Sequence, residues 1–335
     1  MVTRKEVAER AGVSVATVSN VLSKKVYVLP ETVEKVERAV RELKYVPNFT
    51  ARSLSLGHAY QIGIAVSECT NPYHMEVFEA ISDYSLKRGF MVTLFSMNSR
   101  FNNAMNFLTE RQFDAFINFS NQEFAEDVVE LLIRKKTILV NFPQTGLSFS
   151  FDYYDAMQEV MEKVCELGHA KVGYVSTMDS LRFAVDRRGM AFYDHRARLG
   201  FGEDDDYIVF NDDYSSPSEA VGYRKTKELF ARKNDITAIF VTNDLAAIGA
   251  IRALKDMGLR VPEDVSVIGC DGLSLGEYCD PRLTTLWFDK TEHGKIIASH
   301  VIDKILSGST EYDPPLMVKG KVLYRNSLAA RTKKS

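Results

Sequence analysis

Cysteine is scarce in this chain: four among 335 residues (Cys69, Cys165, Cys270 and Cys279), with no two in a CxxC pair. That spacing excludes a zinc ribbon or a thioredoxin-like redox centre and supplies no disulfide framework. Long apolar runs are missing too. No stretch approaches the roughly 18 consecutive apolar residues that a membrane-spanning helix needs. The chain does not open on an apolar leader, so the expectation is free thiols in a reducing cytoplasm, with no membrane partner. No P-loop, HExxH or dinucleotide GxGxxG occurs, no nucleophile elbow is read, and Cys270 has no recognisable partner histidine. The scattered carboxylates Asp152, Asp244 and Asp271 therefore lack catalytic company. The chain is read as a non-enzyme without cofactor or metal.

What is there begins with an uneven distribution of charge. The net charge is −3, yet residues 1–58 hold ten Lys/Arg against six Asp/Glu, and the remainder 32 against 39. A basic head on an acidic body confines affinity for a polyanion to one end. Within that head, Thr3-Arg4-Lys5-Glu6 has the spacing of a capping box. A short apolar helix follows (Val7, Ala8, Ala11), and Gly12 suits a tight helix–helix turn. Ser14 can cap a second helix from Val15 to Leu22, with Val18, Val21 and Leu22 on the inner face. Val15, Ala16, Thr17, Ser19 and Asn20 include its outward positions. Two short helices joined through a glycine, the second starting with small and polar side chains, suit the major groove of double-stranded DNA.

A third helix is predicted from Glu31 to about Leu43 behind Pro30, with Val33, Val36, Val40 and Leu43 inward. Pro47 then breaks the chain, Asn48 can cap a further helix, and Gly57 ends it. Such a two-turn helix is marginal in water and needs something to hold it. The organisation expected is a head over 1–46, a hinge helix and linker over 47–59, and a body over 60–335.

Along the body, short apolar runs alternate with amphipathic segments. Strands are predicted at Ile62–Ser67, Met91–Ser96, Ala115–Phe119, Thr137–Asn141, Val172–Ser176, Tyr207–Phe210, Ala238–Thr242 and Val265–Gly269. Unbroken runs such as Ala238-Ile239-Phe240-Val241 suit strands buried on both faces of a parallel sheet. Helices are predicted at Tyr73–Arg88, Ala156–Leu167 and Leu245–Met257, each followed by a glycine or ending just before one. The fold class is thus a small all-α helix-turn-helix head plus an α/β body. Two doubly wound parallel-sheet subdomains would face each other across a cleft, as in periplasmic binding proteins.

With those elements in place, the chain resembles the LacI/GalR family of bacterial transcriptional regulators over nearly its whole length. The head carries VAERAGVSVATVSNVL and the link YVPNFTARSL. The body carries NPYHMEVFEAI, LGHAKVGYV, TAIFVTNDLAAIGAIRALKDMGLRVPEDVSVIGCD and, near residue 283, PRLTTL. The resemblance implies that the second helix enters the major groove and that the hinge helix lies in the minor groove at the operator's centre. Val15, Ala16 and Asn20 then take base-reading positions, where asparagine can bond an adenine edge and small apolar groups meet a thymine methyl. Thr17 and Ser19 are phosphate contacts or internal caps. Thr3, Ser14, Asn48 and Ala51 complete the DNA-facing set, and Leu54 aligns with a leucine that wedges between central base pairs.

The same resemblance implies an effector cleft in the body. Tyr73 and His74, after Asn71-Pro72, match the position of an aromatic stacked on the ligand. Arg188 aligns with an arginine that donates to ligand hydroxyls or a carboxylate when Ala191 replaces a family glycine; anchoring on Gly189 would instead select Asp186 and misplace Gly200 and Tyr207. Tyr214 matches the opposite wall. Asn243 and Asp271 end two strands, the aspartate suited to vicinal hydroxyls and the asparagine equally able to cap the helix that begins at Asp244. Asp152 either contacts ligand or caps the following helix. Cys270 replaces a common aromatic and makes one wall smaller. The function implied is a sequence-specific repressor of carbohydrate-utilisation genes, controlled by a small-molecule effector, a sugar or sugar derivative. Its partners would be a near-palindromic operator, that effector and a second copy of the chain as a homodimer. The alternative is a transport-type sugar-binding protein with no DNA role, against which the head and the missing export signal weigh.

Overall fold

The reciprocal cap starts the first helix, α1 (Arg4–Ala11): Thr3 N–H donates to Glu6 Oε2 at 2.7 Å, and Glu6 N–H to Thr3 Oγ1 at 3.4 Å. Gly12 closes it in the left-handed conformation, φ 65°, where a side chain would be strained. The computed structural model describes residues 2–23, 26–45, 58–67, 69–97, 110–120, 124–143, 147–202, 204–213, 216–309 and 316–331. The chain divides into two compact units, Met1–Tyr60 and Gln61–Ser335.

In the first unit Ser14 Oγ accepts the Thr17 N–H at 3.0 Å and starts α2 (Val15–Ser23). Helix α3 (Pro30–Glu42) follows, with proline in its first turn. Val7, Ala8, Val18, Val21, Val36, Ala39 and Tyr45 form one buried cluster, with Val33, Val40 and Leu43 against it. This is enough apolar surface to hold three helices that would each be marginal alone. The hinge helix expected from Asn48 to Leu56 lies outside the described residues.

The second unit has two lobes. The first is built on a four-stranded parallel sheet in the order β2-β1-β3-β4, made of β1 (Gln61–Val66), β2 (Met91–Ser96), β3 (Ala115–Phe119) and β4 (Ile138–Val140). Helices α4 (Pro72–Lys87) and α5 (Glu126–Arg134) belong to it. After β5 (Phe149–Asp152) the chain enters the second lobe, with α6 (Tyr154–Glu166), β6 (Val172–Val175), α7 (Ser180–Val185), α8 (Arg187–Arg198) and β7 (Ile208–Val209). Next come α9 (Ser218–Arg232), β8 (Ala238–Val241), α10 (Asp244–Asp256), β9 (Ser266–Asp271), α11 (Leu275–Tyr278) and β10 (Thr284–Trp287). Helix α12 (Lys290–Ser307) returns to the first lobe and packs along α4, tied by Arg88 to Asp303 at 2.9 Å and Tyr84 to Ser299 at 3.0 Å. Strand β11 (Leu316–Lys319) pairs in parallel with β5 where the chain crosses back, and β12 (Lys321–Leu323) completes the second sheet, ordered β12-β10-β9-β8-β6-β7.

Both lobes are α/β layers on parallel sheets, as the unbroken apolar runs predict, with one departure. Strand β12 lies antiparallel at the edge of the second sheet. The strands expected at Met91–Ser96 and Ala115–Phe119 form over those residues. The strand expected at Tyr207–Phe210 shrinks to Ile208–Val209, because Asp204 caps a 3-10 turn over Asp205–Tyr207. Strands β5, β10, β11 and β12 had no place in the sequence reading: each has three or four residues, and β5 and β11 pair only with each other, far apart in the chain. Two glycines set the packing of α9 on α10. A Cβ on Gly222 would lie 2.0 Å from the Ala246 carbonyl oxygen, and one on Gly249 2.0 Å from that of Glu219. Backbone therefore meets backbone, a contact no side chain permits.

Candidate functional site

On the head, packing and exposure separate the two faces of α2. Val18 and Val21 are buried, whereas Val15 is 44% exposed and Ala16 is exposed. Burial therefore does not account for Val15 and Ala16, and their side chains are available to a partner. Asn20 is half-buried. Several hydroxyls expected to face DNA serve the fold locally: Ser19 Oγ accepts from Arg4 Nη1 at 3.3 Å, Ser14 and Thr17 bond each other at 2.9 Å, and Thr3 belongs to the capping box. Asn48, Ala51 and Leu54 lie outside the described residues.

In the body, the polar candidates gather at the carboxyl ends of strands, where ligands sit in doubly wound sheets. Asn71 caps α4 by accepting the Tyr73 N–H at 3.0 Å, which sets the Tyr73 ring edge-on to Phe151 at 6.0 Å and to His74 at 5.2 Å. From there the aromatics continue across the lobe crossing. Phe151 meets Phe288 at 4.4 Å and His293 at 4.3 Å, and Phe288 meets Tyr153 at 4.7 Å. The Arg188 guanidinium stands 5.6 Å from the Tyr153 ring centre, within cation–π range. Burial raises the phenols of Tyr73 and Tyr153 above their usual range, and Asp271 adds to the effect at Tyr73.

Arg188 and Asp186, alternatives in the alignment, stand together. Arg188 Nε and Nη2 donate to the two Asp186 carboxylate oxygens at 2.8 and 3.0 Å, and Nη1 donates to the Thr242 carbonyl at 3.1 Å. Burial opposes both charges. Each nonetheless keeps the other ionised: Asp186 is held below the usual carboxylate range and Arg188 well above its ordinary value.

Asp271 closes β9 with φ 129°, a conformation rare for a residue with a side chain. Its backbone is held by Lys290, whose Nζ donates to the Asp271 carbonyl at 2.7 Å and lies 3.4 Å from Glu76 Oε2. Burial, then the neighbouring Asp244, raises the Asp271 carboxyl well above its ordinary value. Such a carboxyl gains from a ligand hydroxyl bond that favours its charged form. Asp244 itself is structural. It accepts from Thr285 Oγ1 at 2.6 Å and from the Leu273 N–H at 2.7 Å, and burial pushes its carboxyl up to about 6.

For other candidates the structure favours the local role. Asn243 Oδ1 accepts the Ala246 N–H at 2.8 Å, so it caps α10. Asp152 accepts the Tyr154 N–H at 3.1 Å ahead of α6 and is half-buried. Tyr214 lies outside the described residues. Cys270 is 3% exposed within the core cluster of Tyr174, Phe240 and Leu286, so it belongs to the packed interior and is not an open wall. Contrary to the expectation of no nucleophile elbow, Gly272-Leu273-Ser274-Leu275-Gly276 fits the GxSxG pattern. Ser274 nevertheless has ordinary helical angles, φ −58° and ψ −31°, and no base bonded to it, so the strained elbow geometry is missing. Sequence reasoning missed Tyr153, Phe288, Lys290 and His293. Only Tyr153 had a signal, its place beside Asp152; the rest meet the site through long-range contacts. Among the described residues no cluster has the makings of a metal site, and no helix is long and apolar enough to cross a membrane.

Comparison with known proteins agrees with both halves. Residues 3–48 match the model for bacterial regulatory proteins of the lacI family, and residues 161–328 that for the periplasmic binding protein-like domain. The transcriptional repressor PurR of Edwardsiella ictaluri is 30% identical over 340 residues, covering 98% of this chain and 97% of the relative. The Lac repressor dimer bound to operator and the anti-inducer ONPF superposes with TM-score 0.78 at 25% identity, covering 98% and 99% of the two chains. A regulator from Arthrobacter in complex with lactose gives 0.66 at 25% identity, covering 80% of this chain and 98% of that one.

Proposed function

The chain belongs to the LacI family of bacterial regulatory proteins, and from that premise we propose that it represses carbohydrate-utilisation genes as a cytoplasmic homodimer on a near-palindromic operator, released or strengthened by a sugar-type effector. One observation carries the reading. The same chain holds a packed three-helix head with Val15 and Ala16 turned outward, and a body in which Tyr73, Tyr153, Arg188 and Asp271 stand together beside the lobe crossing. The head supplies base contact and the body a ligand-dependent conformation; their coupling is the difference in effector affinity between the operator-bound and free states. Relatives support the class: PurR and the Lac repressor are repressors, and a related regulator holds lactose. No catalytic role is assigned, since Asp244 is held by Thr285 and Leu273. The transport reading loses because it leaves the head unused.

Selection of the full chain against a randomised duplex pool tests the proposal. A near-palindrome should emerge, and a sugar panel should then shift its retention on that duplex. Recovery of no preferred sequence would sink the repressor reading, and sugar binding without DNA binding would restore the transport one.

A further inference from the structure

We propose that the cleft takes an uncharged, hydroxyl-rich ligand and rejects phosphorylated or carboxylated ones, and that Asp186 sets this choice by neutralising Arg188. The inference rests on the cleft being the effector site and adds the charge class of the effector.

An arginine beside aromatic rings is ordinarily an anion receptor, because its planar fork matches a carboxylate or phosphate. Here the fork is occupied from within the chain. Nε and Nη2 grip the two oxygens of Asp186, and Nη1 holds the Thr242 carbonyl. What remains is a single N–H on each terminal nitrogen, suited to hydroxyl oxygens. The pair is well enclosed, with 17% of the Arg188 side chain and 22% of that of Asp186 exposed, so solvent screens the pairing little.

Lys290, the other cation whose field reaches Asp271, is also taken. It is buried, donates to the Asp271 carbonyl at 2.7 Å and faces Glu76 at 3.4 Å. An incoming phosphate would find no unpaired cation among these residues and would meet the Asp186 carboxylate. A polyol meets a different surface. Its hydroxyls donate to Asp271 and accept from the free Arg188 N–H groups, while its C–H faces rest on Tyr73 and Tyr153.

Asp186 can be altered without removing its structural duty. It caps α8 by accepting the Arg188 N–H at 2.9 Å, and asparagine caps as well as aspartate. The full chain also carries its own reporter: its single tryptophan is Trp287, which pairs in register with Asp271. Inorganic phosphate is titrated into the wild type, Asp186→Asn and Asp186→Asn/Arg188→Gln, followed by Trp287 fluorescence and thermal shift. Glucose and glucose 6-phosphate are compared in parallel.

The wild type should show no saturable phosphate response up to ~10 mM. Asp186→Asn should gain one at least about tenfold tighter, and the double variant should lose it. Asp186→Ser, another capping residue, serves if the asparagine variant does not melt cooperatively. Saturable phosphate binding by the wild type, glucose 6-phosphate bound more tightly than glucose, or a cooperatively folded Asp186 variant that gains nothing would each overturn the inference. If no neutral sugar in a broad panel moves the Trp287 signal, the effector reading falls instead, while the phosphate titrations still decide the role of Asp186.

Discussion

His293 offers the sharpest test of how the interior of the body is arranged. Its ring is 1% exposed, stacks on Phe151 at 4.3 Å, and leaves Nδ1 without a hydrogen-bond partner. Burial alone brings its pKa down from 6.5 to about 4. The folded protein therefore holds this imidazole neutral, while the unfolded chain takes up a proton below 6.5. Its contribution is complete above the unfolded value and is lost as the pH falls towards the folded one. Each pKa unit is worth about 1.4 kcal/mol, so the loss between pH 7 and pH 4.5 amounts to about 2 kcal/mol. Asp244 and Asp271 act in the opposite sense. Their raised carboxyls bind protons more tightly when folded, so their contribution weakens as pH rises, for Asp244 between 3.8 and about 6. The wild-type profile alone would mix these effects. Comparison with His293→Leu isolates the histidine, since the carboxylates remain in both proteins. Urea unfolding followed by Trp287 fluorescence, which reports the body and not the head, should show the wild type losing about 2 kcal/mol more than His293→Leu over that range. Parallel profiles would refute a buried, neutral His293.

Three further outcomes are expected. Asn20→Ala should relax preference at one base pair of each half-site by about 1–3 kcal/mol; a randomised-operator selection with an unchanged logo would remove Asn20 from base readout. Asp271→Asn should leave operator affinity intact and abolish the response to an effector sugar, read by titration on the operator complex; a retained response takes Asp271 off the site. Gly249→Val should force α10 off the Glu219 carbonyl, 2.0 Å from its new Cβ, and destabilise the body by about 3 kcal/mol; a urea midpoint close to the wild type would show that α9 yields freely.

Much of the fold was legible because its signals are local. The Thr3–Glu6 cap, the Gly12 turn and the inward valines of α2 and α3 follow from spacing of a few residues, and the structure builds each of them. Central strands announce themselves because burial on both faces demands unbroken apolar runs, as at Ala238–Val241. The short strands at the lobe crossing do not. Strand β11 at Leu316–Lys319 alternates in burial and finds β5 far away in the chain. The site divides along the same line. Tyr73, Arg188 and Asp271 carry family positions in their neighbouring letters, whereas Lys290 and His293 have no such mark.

Neighbouring residues alone set the class of partner and the plan of the chain: a basic capped head and a doubly wound body. Capping, turn chemistry and apolar periodicity act over one or two turns, so they can be read from adjacent residues. The tertiary structure decided what each polar group is free to do. Asn243 caps a helix, Asp244 is held by Thr285 and Leu273, and Arg188 is neutralised by Asp186. The physical reason is that a buried polar group must find a partner, and which partner it finds depends on chain segments that only folding brings together.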